Sequence, residues 1–212
     1  EMQRSLVGSE MCIRDRHSMG SFVTRRYICD YGYELDGVIV MGTGHQPAPM
    51  VFAGKVLADV VRLIKGDRYR SRLISKIMFG AYNKHIKNVR TVNDWLTRDE
   101  AVVDEYNAGK LTTFLFTVNG YRGLMNMILY VRKPRNIERI PKNLPMLMIS
   151  GLDDPVGEYG KGVYRAYNSY HGHIDDIDLR LYEDCRHELC NELNKEEIYE
   201  EIYGWIMNHM SK

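Results

Sequence analysis

Hydrophobic positions change rhythm several times along the chain, and the changes outline a sheet interrupted by helices. After Ser18, the residues Phe22, Val23 and Tyr27 fall at helical spacing, and the helix they predict ends near Gly32. Residues 35–41 (LDGVIVM) form a short apolar run without alternation, which suits a strand covered on both faces, and the run closes in Gly42-Thr43-Gly44. From His45 to about Arg139 the spacing becomes helical, over 50–64 and again over 73–86. Thr97 with Glu100 predicts a capping box opening a helix that stops before Gly109, and 111–131 is a further apolar stretch broken at Asn119-Gly120.

Pro141 and Pro145 bracket the return to sheet. Residues 144–150 (LPMLMIS) predict a second buried strand, ending in Gly151-Leu152-Asp153-Asp154-Pro155. Val163, Tyr167 and Tyr170 predict a helix that stops by Gly172. The run 177–182 alternates, with Ile177, Leu179 and Leu181 inward and Asp178, Arg180 and Tyr182 outward, as a half-exposed edge strand does. A last helix is expected to be capped by Asn194 with Glu197 and to present Ile198, Ile202, Trp205 and Ile206 as its apolar face. Strands alternating with helices specify an α/β fold with a parallel sheet. Its core comes from 17–44 and 141–212, separated by a helical insertion at 45–140.

Composition removes several classes. The 212 residues carry 29 Lys and Arg against 28 Asp and Glu, so no basic excess points to nucleic acid and no acidic run to disorder. At 44% apolar the chain has the composition of a soluble globular domain, and no run reaches the roughly 18 residues of a membrane span. That leaves transient contact with a membrane surface open, and says nothing of oligomeric state. Cys12, Cys29, Cys185 and Cys190 show no framework spacing, and no secretory signal stands at the N-terminus, so a reducing, cytoplasmic setting is expected.

Residues 1–16 behave differently. The segment SLVGSEMCIRDR resembles a sequencing adapter read as coding sequence, and Ser9, Glu10, Arg14, Asp15 and Arg16 stand where a buried strand would precede the next motif. The expectation is that native sequence begins at His17.

That motif is His17-Ser18-Met19-Gly20-Ser21. It reads as the right-hand part of a nucleophile elbow, G-x-S-x-G, with Arg16 in place of the first glycine. Ser18 then sits at the elbow, Asp154 after the second visible strand and His187 after the third, where open α/β sheets place their sites. In that arrangement His187 takes the proton from Ser18 Oγ and Asp154 orients the imidazole. The N–H of Met19, at the start of the following helix, supplies one oxyanion-hole donor. Each residue also has a plainer role: Ser18 as an N-cap, Asp154 as a turn initiator before Pro155, His187 as a loop histidine. Asp184 is a competing acid, but it lies three residues from His187 on the same loop. Reading Cys185, His187 and Cys190 as metal ligands lacks a second ligand pair at zinc spacing, so no metal or other cofactor is expected.

HSMGSF, SGLDDPVG with GKGV behind it, NDWLTRDEAVVDEY and YEDCRHEL together resemble the serine-aminopeptidase-like branch of the α/β-hydrolases, which holds monoacylglycerol lipases and lysophospholipases. The resemblance runs from His17 to the C-terminus. It implies that Ser18, Asp154 and His187 are catalytic and that 45–140 is a lid. It further implies that the three strands are the family's last three and that the substrate is a small-molecule or lipid acyl ester. Aminopeptidase activity and a non-catalytic binding module remain the alternatives. The family's first five strands, and the His-Gly loop carrying its second oxyanion donor, have no counterpart upstream of Ser18. A lost donor costs about 10²–10³ in turnover. Val38, Ile39 and Val40 are then expected at an exposed sheet edge, and the chain is expected to be a poorly soluble, nearly inactive fragment.

Overall fold

A computed structural model describes residues 13–210, with side chains from 16 to 209. The described chain runs β1 (Ile13–His17), α1 (Met19–Tyr31), β2 (Gly37–Met41), α2 (Ala48–Lys65), α3 (Arg72–Phe79), α4 (Glu100–Ala108), α5 (Val118–Val131) and α6 (Pro134–Ile137). It continues through β3 (Met146–Gly151), α7 (Lys161–His171), β4 (Ile177–Tyr182) and α8 (Lys195–Met210). Among the described residues the strands form one parallel sheet in the order β1-β2-β3-β4, and His17 lies beside Met41 at its C-terminal end.

The unbroken apolar runs of β2 and β3 follow from helices on both faces. Val38 and Val40 of β2, with Met146 and Met148 of β3, meet Ile28 and Cys29 of α1 and Ala166 and Tyr170 of α7. Their neighbours Ile39, Met41, Leu147 and Ile149 point the other way, against Leu189 and against Ile198 and Trp205 of α8. Burial of such side chains is worth about 1.5–3 kcal/mol each, and β2 and β3 are buried along their whole length.

One expectation changes here. A strand does precede Ser18: β1 covers the flank of β2, so Val38, Ile39 and Val40 are interior and the sheet has four strands rather than three. Hydrogen bonding of the main chain needs no apolar side chains, which is why IRDRH pairs without looking like a strand. The rest of the expected foreign segment, residues 1–12, lies outside the described residues. β4 is the half-exposed edge strand expected, with Arg180 in solvent, and its outward side chains are bridged to α8. Trp205 Nε1–H donates to Asp178 at 3.1 Å, and Glu201 accepts from Arg180 at 3.1 Å and Tyr182 at 2.9 Å.

The insertion is helical over 50–64 as its spacing predicts, but α3 stops at Phe79 and 80–86 is not helical. It packs through its own core of Val51, Ala58, Ile74, Val118 and Tyr121, which Phe22 of α1 enters from the sheet layer. Phe52 and Phe114 of the insertion are exposed. Three guanidiniums from three places hold the crossover into the insertion by consecutive carbonyls. Arg25 of α1 donates to Gly44 at 2.9 Å, Arg165 of α7 to His45 at 3.3 Å and Arg132 to Gln46 at 2.6 Å. No described helix is long and apolar enough to cross a membrane.

The predicted capping box is displaced by two residues. Asp99, not Thr97, caps α4, its carboxylate accepting from the N–H of Ala101 at 3.0 Å and Val102 at 3.4 Å. Asp99→Ala is expected to lower stability by about 1 kcal/mol, read as a shift in the urea midpoint at constant slope. Thr97 instead donates its hydroxyl to Asn191 across the fold at 2.8 Å.

Candidate active site

Ser18 is the single residue between β1 and α1, and turning a strand into a helix within one residue forces its backbone to φ 56° and ψ −124°. A side chain in that region costs about 1–3 kcal/mol and persists only where surrounding bonds impose it. Those bonds are present: Ser18 N–H donates to Met41 C=O at 3.1 Å, and Ser18 C=O accepts from the N–H and hydroxyl of Ser21 at 2.9 and 2.5 Å. Ser18 occupies the N-cap position, yet its hydroxyl makes no capping bond, so the plainer role for this serine is not the one it fills. The irregular Arg16 fits because Gly20 lies opposite; a Cβ at Gly20 would stand 3.2 Å from Arg16 Cβ. Met19 opens α1, so its N–H belongs to the helix's first turn.

Asp154 and His187 meet. His187 Nδ1 lies 2.9 Å from Asp154 Oδ2, and since a carboxylate only accepts, the ring proton is on Nδ1 and the lone pair on Nε2. Both side chains are buried, and Nε2 has no hydrogen-bond partner among the described residues. Asp154 Oδ1 accepts from Val156 N–H at 2.8 Å and Oδ2 from the Ser150 hydroxyl at 3.2 Å. Burial alone would raise this carboxyl; the His187 charge and hydrogen bond, with those two donors, outweigh it and hold the group below the usual carboxylate range. Asp153 and Asp184 are exposed. Cys185 Sγ–H donates to Asn194 Oδ1 at 3.3 Å, while Cys190 lies 3.8 Å from Met41 sulfur.

Residues with no role assigned from the sequence also build the site. The His187 ring packs against His17 at 4.3 Å and Trp95 at 5.0 Å between centroids, and His17 Nε2–H donates to the His187 carbonyl at 2.9 Å. Gly42 has φ +57°, and a Cβ there would approach both histidine rings to about 3 Å. At Gly151 a Cβ would collide with the carbonyls of Cys185 and Arg186, so β3 can end against the histidine loop only as glycine. NDWLTRDE is visible as a motif, but nothing in it marks Trp95 as a neighbour of His187.

His17 titrates at about 4, depressed by burial and then by the His187 charge; His45 titrates at about 4 through burial and the charges of Arg25, Arg132 and Arg165. Both are neutral bases that the unfolded chain protonates near 6.5. Between pH 6.5 and 4 the unfolded state therefore binds more protons, so their contribution to stability is present above 6.5 and is lost as pH falls through this window. Unfolding at pH 5 is expected to take up roughly two protons more than at pH 8, measured from the pH dependence of the urea unfolding free energy.

Residues 15–194 match the family model for serine aminopeptidase, S33. The chain belongs to this family. The structure is similar to a thermostable carboxyl esterase from Bacillus coagulans, with TM-score 0.82, 23% identity, and coverage of 94% of this chain and 64% of that one. A lipase in its open form gives TM-score 0.82 at 21% identity, with 94% and 66% of the two chains covered. A monoacylglycerol lipase from Paleococcus ferrophilus gives 0.68 at 18%, with 94% and 69% covered. At these identities the likeness establishes the α/β-hydrolase fold, and the chain spans just under two thirds of the length of the first two structures. No curated protein sequence matches it.

Proposed function

We propose that this S33-family chain carries the catalytic residues of a serine hydrolase for acylglycerol or lysophospholipid esters. The observation that carries the reading is the orientation of His187: its Nδ1–H is committed to Asp154, which leaves the Nε2 lone pair unpartnered at the sheet end where Ser18 turns. In this reading Ser18 Oγ attacks the ester carbonyl while His187 Nε2 takes its proton. The tetrahedral oxyanion accepts from Met19 N–H, and collapse breaks the carbonyl–alkoxy bond as His187 returns the proton to the departing alcohol. Water then attacks the acyl-Ser18 ester by the same proton path and releases the carboxylic acid. Asp154 stays ionised throughout and stabilises the imidazolium.

An ester of a fatty acid, rather than a peptide, is favoured by the insertion. Tyr82 packs edge-on against Trp95 at 4.9 Å, and Trp95 lies over His187, so aromatic carbon roofs the site. Residues 45–140 act as a lid whose apolar core continues into the sheet layer through Phe22. Hydrolysis rates on nitrophenyl esters of increasing acyl length and on aminoacyl anilides test the choice. Esters are expected to exceed anilides by at least about tenfold in kcat/KM, with all turnover lost in Ser18→Ala. Preference for the anilides would favour the aminopeptidase reading.

A further inference from the structure

His187 sits on the loop between β4 and α8, and the insertion segment 94–98 binds this loop on both sides of the histidine. On its N-terminal side, Arg186 sends Nη1–H to the carbonyls of Asp94 at 2.7 Å and Thr97 at 2.9 Å. On its C-terminal side, Glu188 N–H donates to Leu96 C=O at 2.7 Å. Glu192 binds both sides together. Its buried carboxylate accepts Arg186 N–H at 2.7 Å, Arg98 Nε–H at 2.8 Å and Arg98 N–H at 3.3 Å. The same guanidinium reaches Asn194 Oδ1 at 2.7 Å, so its fork spans the start of α8 as well.

We propose that Arg98 and Glu192 are positioning residues for His187, holding the base through its chain neighbour Arg186 so that the lid segment and the base move as one unit. The inference rests on the reading of His187 as the general base. A carboxylate without solvent must be satisfied by donors or it becomes costly, and here three of its donors belong to Arg98 and to the residue adjoining His187. Both side chains stand away from the reacting atoms, so neither is a catalytic residue. What they control is the angle at which Nε2 meets Ser18, and misplacement of a reacting group by about 1 Å costs about 10²-fold. Asp154 fixes one ring nitrogen, and His17 on the His187 carbonyl and Asp153 on Cys185 tie the loop from the sheet side; Arg98 and Glu192 tie it from the lid side. The plain alternative is that the pair merely stabilises the fold.

Arg98→Lys separates the two, because lysine keeps the charge but cannot fork between Glu192 and Asn194. Turnover per active site, counted by fluorophosphonate titration, is expected to fall about 10²-fold with KM changed less than twofold. The low-field proton resonance of His187 Nδ1–H, visible in the parent by ¹⁵N-histidine NMR, is expected to broaden. Glu192→Gln should do the same to a smaller degree. Thr97→Val, which removes the bond to Asn191 and the acceptor for Asp99 N–H, serves if Arg98→Lys fails to fold, and is expected to broaden the same resonance. A lower melting temperature with unchanged turnover per labelled serine and an intact resonance would overturn the proposal. If the parent is not labelled at all, the hydrolase reading fails instead, and the resonance alone decides: sharp in the variants, the positioning role falls; broadened, it stands.

Discussion

Asp154→Asn is expected to lower turnover about 10⁴-fold while leaving the fold in place. The magnitude follows from which oxygen can be replaced. Val156 N–H donates to Oδ1 at 2.8 Å, so the amide oxygen of asparagine must stay there. The amide nitrogen then takes the Oδ2 position, facing His187 Nδ1 at 2.9 Å. Two donors cannot face each other, so the ring proton moves to Nε2 and the lone pair that would accept the Ser18 proton is gone. The Ser150 hydroxyl, 3.2 Å away, can rotate to accept from the new amide, so little stability is lost. The check is kcat/KM on an ester together with circular dichroism. A mutant with native spectrum and native rate would show that Asp154 does not orient the base.

Gly151→Ala is expected to cost about 3 kcal/mol and to take turnover down with it. The added methyl would overlap the carbonyl oxygens of Cys185 and Arg186, and backbone cannot swing aside as a flexible side chain can. Asp153 N–H donates to Cys185 C=O at 2.9 Å just beyond, so the acid turn and the histidine loop are tied at this point. The displaced residues immediately precede His187, which is why a substitution without chemistry of its own should still remove most activity. A urea midpoint close to the parent's would mean that the loop has room the structure does not show.

The chain announces its helices and its buried strands because both are written in the spacing of apolar side chains. Residues 144–150 and 177–182 are legible for that reason, as is the polar-ended helix that closes the fold. β1 is not legible, because IRDRH earns its place through main-chain pairing with β2 and carries charge where a central strand carries valine. Thr97 and Asp99 show a similar limit: both precede Glu100, and only the three-dimensional path reveals that Thr97 is drawn off to Asn191.

Asp154 and His187, which the structure brings to 2.9 Å, could be paired in advance because their places after 144–150 and 177–182 are properties of sequence, whereas Ser18 rests on its motif alone. The shell around them could not. Trp95 is ninety-two residues from His187 along the chain, and Glu192 looks like any surface glutamate until Arg98 and Arg186 are found on it. Such residues are assembled by the crossover of the insertion, which no local pattern encodes.

Reaction of the chain with a fluorophosphonate, followed by peptide mapping of the adduct, tests whether Ser18 is the nucleophile. A single adduct is expected on the peptide containing Ser18, absent in Ser18→Ala and slowed by orders of magnitude in His187→Ala. An adduct on another serine, or none on protein shown to be folded, would contradict that role.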